Sequence, residues 1–284
     1  MSQLPHLSKT PPAALILGLL LPGVVQAAGA EIVAHRGASQ DAPENTLAAV
    51  RLGFEQGADA VEIDVHLSKD GHIVVMHDDN TKSTAGVDRK VADQTLDELR
   101  RLDVGGFGPW AGRGFSEAVP TLDEVLALVP EGKRLFIEVK CGPEILPVLE
   151  QSLARSRLSP SQTPIISFKF PVVEGAKRLF PDRQAFWLHG YQGDKKTGDH
   201  PRIEDLVRKA KEARLDGLNL NYQFPLDAAA VRGIQDEGLK CYVWTVDDTA
   251  MARELAAAGV DGITTNRPGG LRRDLEPAGE AKGR

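Results

Sequence analysis

At 284 residues, 42% of them hydrophobic and 26% charged, the chain is long enough for one large α/β domain or two small ones. A formal charge of −6, with no basic stretch interleaved with aromatics, argues against a dedicated nucleic-acid binder. Two cysteines, Cys141 and Cys241, are too few for a disulfide scaffold.

The first 27 residues read as a secretory signal peptide. Lys9 and the amino terminus supply positive charge, Ala13 to Val25 forms an apolar block, and Val25-Gln26-Ala27 places small residues for cleavage. Thirteen apolar residues interrupted by Pro22 are too few to span a membrane core of ~30 Å. The expectation is an exported protein, periplasmic or secreted, with no stable membrane insertion after cleavage. Residues 28–284 would then be one barrel domain.

From residue 31 onward, apolar β-rich runs alternate with helical patterns. The strands are expected at 32–35, 60–65, 135–139, 165–168, 185–188, 218–221, 241–246 and 262–265. Helical periodicity falls at 45–56, 122–129, 144–155, 172–179, 203–213, 227–237 and 249–257. Repeated βα units build a parallel sheet, and eight strands fit a closed, irregular (β/α)8 TIM barrel.

The run 72–77 stands outside that count, because Lys69-Asp70-Gly71 is too short for a parallel crossover. An antiparallel hairpin with Asp70-Gly71 as a two-residue turn sets Leu67 opposite Val74 and Asp64 opposite His77. Residues 79–120 form the longest connection, Gly-rich at 105–114 and helical over 96–102, and are expected as a lid or substrate wall over the barrel mouth. Thr121 caps the next helix, with Glu124 completing a capping box. The tail after Pro268 is expected to fray. Cys141 and Cys241 fall at opposite ends of the barrel and should remain unbonded.

The strand ends carry the chemistry. Glu62 and Asp64 are two apart, so both carboxylates share the face opposite Val61, Ile63 and Val65. Two acids aimed into a barrel call for a hard divalent cation with oxygen ligands, Ca2+ or Mg2+. Glu138 offers a third carboxylate and Lys140 a cation for a phosphate. Taken alone, that pair reads better as an internal ion pair at the barrel mouth; next to Glu62 and Asp64 it does not. His35 and His77 reach the same rim from different parts of the chain, where two imidazoles serve as base and acid. Arg36 suits bidentate recognition of phosphoryl oxygens. Gly37 would let a substrate approach the backbone. His66, His72, His189 and His200 read as structural.

The motifs His35-Arg36-Gly37, Pro43-Glu44-Asn45-Thr46, Glu62-Ile63-Asp64-Val65, Lys69-Asp70-Gly71, His77-Asp78, Pro120-Thr121-Leu122-Asp123-Glu124-Val125 and Glu138-Val139-Lys140 resemble the glycerophosphodiester phosphodiesterase family in order and spacing. Val243-Trp244-Thr245-Val246 and Asp261-Gly262-Ile263-Thr264-Thr265-Asn266-Arg267-Pro268 resemble its closing strands. The resemblance implies metal-dependent hydrolysis of glycerophosphocholine, glycerophosphoethanolamine and similar small molecules to sn-glycerol 3-phosphate and an alcohol. It implies Glu62, Asp64 and Glu138 as metal ligands, His35 and His77 as the catalytic pair, and Arg36 and Lys140 as phosphate contacts. Phe168 and Trp244 would form an apolar wall against the substrate. Glu44 would support the site, either near the metal or by orienting Arg36. Competing readings are a lysophospholipase D or sphingomyelinase D-like enzyme, or an exported protein that binds phosphodiesters without cleaving them.

Overall fold

Among the residues described by the computed structural model, which are Met1, 29–193 and 197–276, nine strands form one sheet. The stretch read as a signal peptide lies outside the described residues, apart from Met1. The strands are β1 (Glu31–Ala34), β2 (Ala60–Leu67), β3 (Ile73–Val75), β4 (Arg134–Val139), β5 (Ile165–Ser167), β6 (Ala185–His189), β7 (Gly217–Asn221), β8 (Lys240–Trp244) and β9 (Gly262–Thr265). Parallel pairing runs in the order β1-β9-β8-β7-β6-β5-β4-β2, and β1 also pairs with β2, closing an eight-stranded barrel. Helices such as Leu47–Glu55, Leu146–Arg155 and Ala228–Asp236 cover it.

The alternation along each strand decides what is inside. Val61, Ile63 and Val65 face outward and pack with Val50, Leu122 and Leu149 of the surrounding helices, while Glu62 and Asp64 take the interior positions. Deeper in the barrel, Phe136, Phe186 and Tyr242 fill the bore with ring centroids 5.1–6.0 Å apart. Below them Arg134 donates to Glu31 at 2.6 Å and Tyr242 donates to the same carboxylate at 2.7 Å, so polar groups close the N-terminal end. The open end is the C-terminal one, where barrels of this type carry their chemistry.

Two expectations are corrected. The hairpin register is shifted by one residue: Val65 pairs with Val75, His66 with Val74 and Leu67 with Ile73. Met76, not His77, stands against Asp64, donating its N–H to the Asp64 carbonyl at 2.9 Å. The loop is three residues long because Ser68 pairs with His72, and Gly71 takes the left-handed conformation that ends such a loop. His77 still reaches the barrel mouth, since the ladder ends at Val75 and the chain turns inward.

Among the described residues the tail does not fray directly after Pro268, and positions 277–284 of the expected frayed tail lie outside the described residues. Pro268–Leu275 is a helix with Leu271 buried, Arg272 bonded to Asp59 and Arg267 paired with Asp274. Two glycines weaken its intrinsic helix propensity, and these tertiary anchors outweigh them.

The expected capping box is present: Thr121 and Glu124 satisfy each other's backbone at the start of Leu122–Leu126. The helix expected over 96–102 is shorter, Leu96–Leu99, and begins with its own capping box from Thr95. Residues of the 79–120 segment gather over β3 in a small separate core of Val74, Met76, Val91, Leu99 and Val119. Cys141 and Cys241 are both free thiols.

Candidate active site

The site begins where β1 ends. His35 still donates its N–H to the Thr265 carbonyl at 2.8 Å, and then Arg36 and Gly37 both adopt positive φ, 54° and 81°. That turn aims the Arg36 N–H at Glu62 Oε2, 2.9 Å away, and sends its guanidinium back to Glu44 at 2.9 Å. Glu44 thus holds the Arg36 guanidinium through both of its carboxylate oxygens. Gly37 also has a packing reason. A Cβ there would lie 2.4 Å from the Ala49 carbonyl carbon, so the glycine lets the turn pack on the helix Leu47–Glu55.

Asn45, itself at φ 58°, accepts from the Asp64 backbone N–H at 3.1 Å and donates to Asp64 Oδ2 at 2.8 Å. The pair locks the inward carboxylate of β2 to the start of the first helix, whose N-cap is Thr46. On the neighbouring strand, Glu138 pairs in register with Asp64. Oxygens of Glu62, Asp64 and Glu138 all lie within 4.8 Å of one another. All three acids are buried, and Glu62 Oε1 and Asp64 Oδ1 have no hydrogen-bond partner among the described residues. A closed trio of buried carboxylates, with Glu62 Oε1 unpartnered and Asp64 Oδ1 met only by the Lys140 ammonium at 3.4 Å, is a donor set that a hard divalent cation fits.

The electrostatics agree. Burial and the neighbouring carboxylates hold Glu62 well above the usual carboxylate range, and burial beside Asp64 pushes Glu138 up to about 7. Burial opposes ionisation of Asp64 as well, but Lys140 and Arg36 outweigh it and keep this carboxyl below its ordinary value. Lys140 donates to Glu138 at 2.7 Å and stands 3.4 Å from Asp64. The internal ion pair weighed from sequence is thus present, and it sits inside the acid cluster.

The two histidines are held differently. His35 Nδ1 lies 2.8 Å from Asn266 Oδ1, and Asn266 is itself fixed by Asp247 through its Nδ2 and its backbone N–H. Burial, reinforced by the Arg36 charge, lowers His35 to about 4. His77 Nδ1 lies 2.7 Å from the Asp78 carboxylate, which also accepts from Ser83. His66 bonds the His77 carbonyl at 3.1 Å, consistent with a structural role.

These groups meet at a cavity of about 170 Å³ in the open end of the barrel. His35, Arg36, Glu62, His77, Glu138 and Lys140 line it, together with Phe168 and Trp244, whose rings meet edge-on at 5.3 Å. Asp64 and Glu44 stand behind this surface. No residue of 79–120 lines the cavity, because that segment folds over β3. Its one reach toward the site is Ser83 behind Asp78. A larger groove of about 620 Å³, between Ile203–Glu212 and Ala228–Asp236, has no comparable convergence of buried charge. Asn45, Asp78, Asp247 and Asn266 are the supports that sequence reasoning left without a role. Only Asp78, next to a histidine, carried a local signal.

The chain matches the glycerophosphoryl diester phosphodiesterase family over residues 35–270. A glycerophosphodiester phosphodiesterase of Caldanaerobacter subterraneus subsp. tengcongensis is 34% identical over 244 residues, 84% of this chain and 94% of that protein. One from Bacillus subtilis is 30% identical over 254 residues, 83% of each chain. A solved phosphodiesterase from Oleispira antarctica, in complex with the product sn-glycerol-3-phosphate, superposes with a TM-score of 0.76 at 28% identity, covering 87% of this chain and 97% of its own. With the matched segment running from His35 at the first strand end to the closing helix, the chain belongs to the glycerophosphoryl diester phosphodiesterase family.

Proposed function

We propose that this protein is a cation-dependent hydrolase of glycerophosphodiesters such as glycerophosphocholine and glycerophosphoethanolamine, releasing sn-glycerol 3-phosphate and the free alcohol. The observation that carries the reading is the trio Glu62, Asp64 and Glu138, buried with unsatisfied oxygens at a cavity that two histidines share. These three residues would hold the ion, Ca2+ or Mg2+, whose positive charge at the phosphoryl oxygens offsets the negative charge that builds during displacement.

The chain's own groups divide the remaining work. Arg36, fixed by Glu44, and Lys140 attract the phosphodiester anion and hold its oxygens. His35 is neutral above about pH 4 and its Nδ1 is occupied by Asn266, so Nε2 is a free lone pair. It takes the proton of the nucleophile, which is water or the glycerol 2-hydroxyl. His77 has a carboxylate at its Nδ1, which orients the ring, and it protonates the departing alkoxide. Each role contributes roughly 10²–10⁴-fold. A cavity of about 170 Å³ is below the several hundred Å³ of sites for larger ligands and suits a small polyol phosphate better than an acylated lipid. Export remains part of the proposal, resting on residues 1–27, and N-terminal sequencing of the mature protein tests it.

The test is release of choline and sn-glycerol 3-phosphate from glycerophosphocholine, before and after chelation. Activity that a chelator abolishes and Ca2+ or Mg2+ restores supports the proposal. Activity indifferent to chelation removes the cation from it, and phosphocholine as the product reverses which ester bond is cut.

A further inference from the structure

Asn219 takes no part in holding the carboxylates or the histidines, yet it is a buried polar group at the same cavity. It sits in β7, where Leu218 and Leu220 point outward into the helical layer and Asn219 takes an interior position between them. Its ladder neighbours are Leu188 on β6 and Tyr242 on β8. The residue is 2% exposed, lines the cavity, and leaves its Oδ1 without a hydrogen-bond partner among the described residues. Trp244 Nε1 donates to the Asn219 backbone carbonyl at 3.0 Å, fixing the strand on which the amide is carried.

A buried amide oxygen without a protein partner is unfavourable, so a ligand in the cavity that donates a hydrogen bond to it gains binding energy. The position shows which part of a ligand this is. Counting around the closed barrel, β7 is four strands from β2 in either direction, so Asn219 faces Glu62 and Asp64 across the bore. The phosphate belongs with Arg36 and Lys140 on the acid side. Asn219 shares the cavity lining with the apolar side chains of Ile166, Leu188 and Trp244, on strands β5, β6 and β8 away from β2. A glycerol unit matches both: carbon faces to pack and hydroxyls to donate. The trimethylammonium group of choline has no proton to give to Oδ1, so in glycerophosphocholine only the glycerol end can meet it.

We propose that Asn219 is a specificity-determining residue that hydrogen-bonds a hydroxyl of the substrate's glycerol, orienting the diester so that glycerol lies inside the barrel and the leaving alcohol points outward. This deepens the phosphodiesterase reading and rests on it for the placement of the phosphate.

The test compares binding of sn-glycerol 3-phosphate and ethyl phosphate by titration calorimetry in calcium buffer. The two share a phosphate monoester and differ in the hydroxyls. The unmodified protein should prefer sn-glycerol 3-phosphate by roughly tenfold, the value of one hydrogen bond in a buried site. Asn219→Leu should erase that preference, and Asn219→Ser, which keeps a short hydroxyl, should retain part of it. Because each preference is a ratio within one protein, an incompletely folded fraction does not alter it. An unchanged preference in Asn219→Leu, or none in the unmodified protein, overturns the proposal. Glycerophosphoethanolamine hydrolysis is measured in parallel. A preference that depends on Asn219 in a protein unable to cleave the diester would refute the activity and leave the glycerol contact standing.

Discussion

His35 Nδ1 and Asn266 Oδ1 meet at 2.8 Å although 231 positions separate them. The contact joins the first strand end of the barrel to the last. Asn266 has little freedom, because its Nδ2 donates to Asp247 Oδ2 at 2.6 Å and Ser39 donates to its Oδ1. Its oxygen therefore faces the imidazole, so the His35 proton is on Nδ1 and the Nε2 lone pair is free. Asn266→Leu should lower kcat roughly 10- to 100-fold with little change in KM if His35 is the base proposed above, since a misoriented base loses part of its 10²–10⁴-fold contribution. Asn266→Asp replaces a neutral amide with an anion, which favours the imidazolium. The His35 pKa, near 4 from burial and the Arg36 charge, should rise. Side-chain NMR titration of both proteins checks this, and an unmoved His35 resonance in Asn266→Asp would refute the contact.

The division of labour between the histidines predicts a leaving-group effect. In the proposed mechanism His77, backed by Asp78 at 2.7 Å, protonates an alkoxide, and p-nitrophenolate leaves without that help. His77→Ala should lose roughly 10²–10⁴-fold on glycerophosphocholine and markedly less on a p-nitrophenyl phosphodiester. His35→Ala should lose comparable activity on both. Equal losses for His77→Ala on the two substrates would remove it from the acid role.

What the sequence revealed and what it hid divide along a physical line. Glu62, Asp64 and Glu138 were legible because a strand has period two, and aliphatic neighbours on the other face declared these acids to be interior. Asp247 and Asn266 were not, because what they do depends on β9 closing against β1, and no local pattern reports that neighbour. The hairpin register failed for a different reason: Asp70-Gly71 suits both a two-residue turn and the end of a three-residue loop. Only the Ser68–His72 pairing chooses between them. Helix Pro268–Leu275 was hidden because its stability comes from Leu271 and Arg272 docking elsewhere on the barrel.

The acid trio predicts opposite pH responses with and without a cation. In the cation-free protein Glu138 rises from 4.5 to about 7, chiefly through burial, and Glu62 is raised as well. A carboxyl raised on folding binds its proton more tightly in the native state, so stability falls as pH rises from about 4.5 through about 7. At ~1.4 kcal/mol per unit, Glu138 alone contributes on the order of 3 kcal/mol to that loss. A bound dication removes the repulsion, so Ca2+ should raise Tm more at pH 8 than at pH 6. Glu138→Gln should flatten the cation-free pH dependence and shrink the Ca2+ increment. Thermal melts across pH with and without Ca2+ check both, and a larger increment at pH 6 would contradict the arrangement.

Gly37 gives a prediction about stability in which no substrate takes part. Its φ is 81°, and an added Cβ would lie 2.4 Å from the Ala49 carbonyl carbon and 2.5 Å from its oxygen. The left-handed backbone alone costs an L-residue ~1 kcal/mol, and overpacking against a helix adds typically 1–3 kcal/mol. Relief requires the helix Leu47–Glu55 to move, but that helix is anchored by Thr46 and by Ala38 N–H donating to the Ala49 carbonyl at 2.9 Å. Gly37→Ala should therefore destabilise the fold by roughly 2–4 kcal/mol in chemical denaturation. It should also lower activity by shifting Arg36 and His35. Asp41→Ala, on the same loop but exposed, should change stability by less than ~0.5 kcal/mol. If Gly37→Ala melts like the parent protein, the turn does not pack on the helix as described and the placement of Arg36 loses its support.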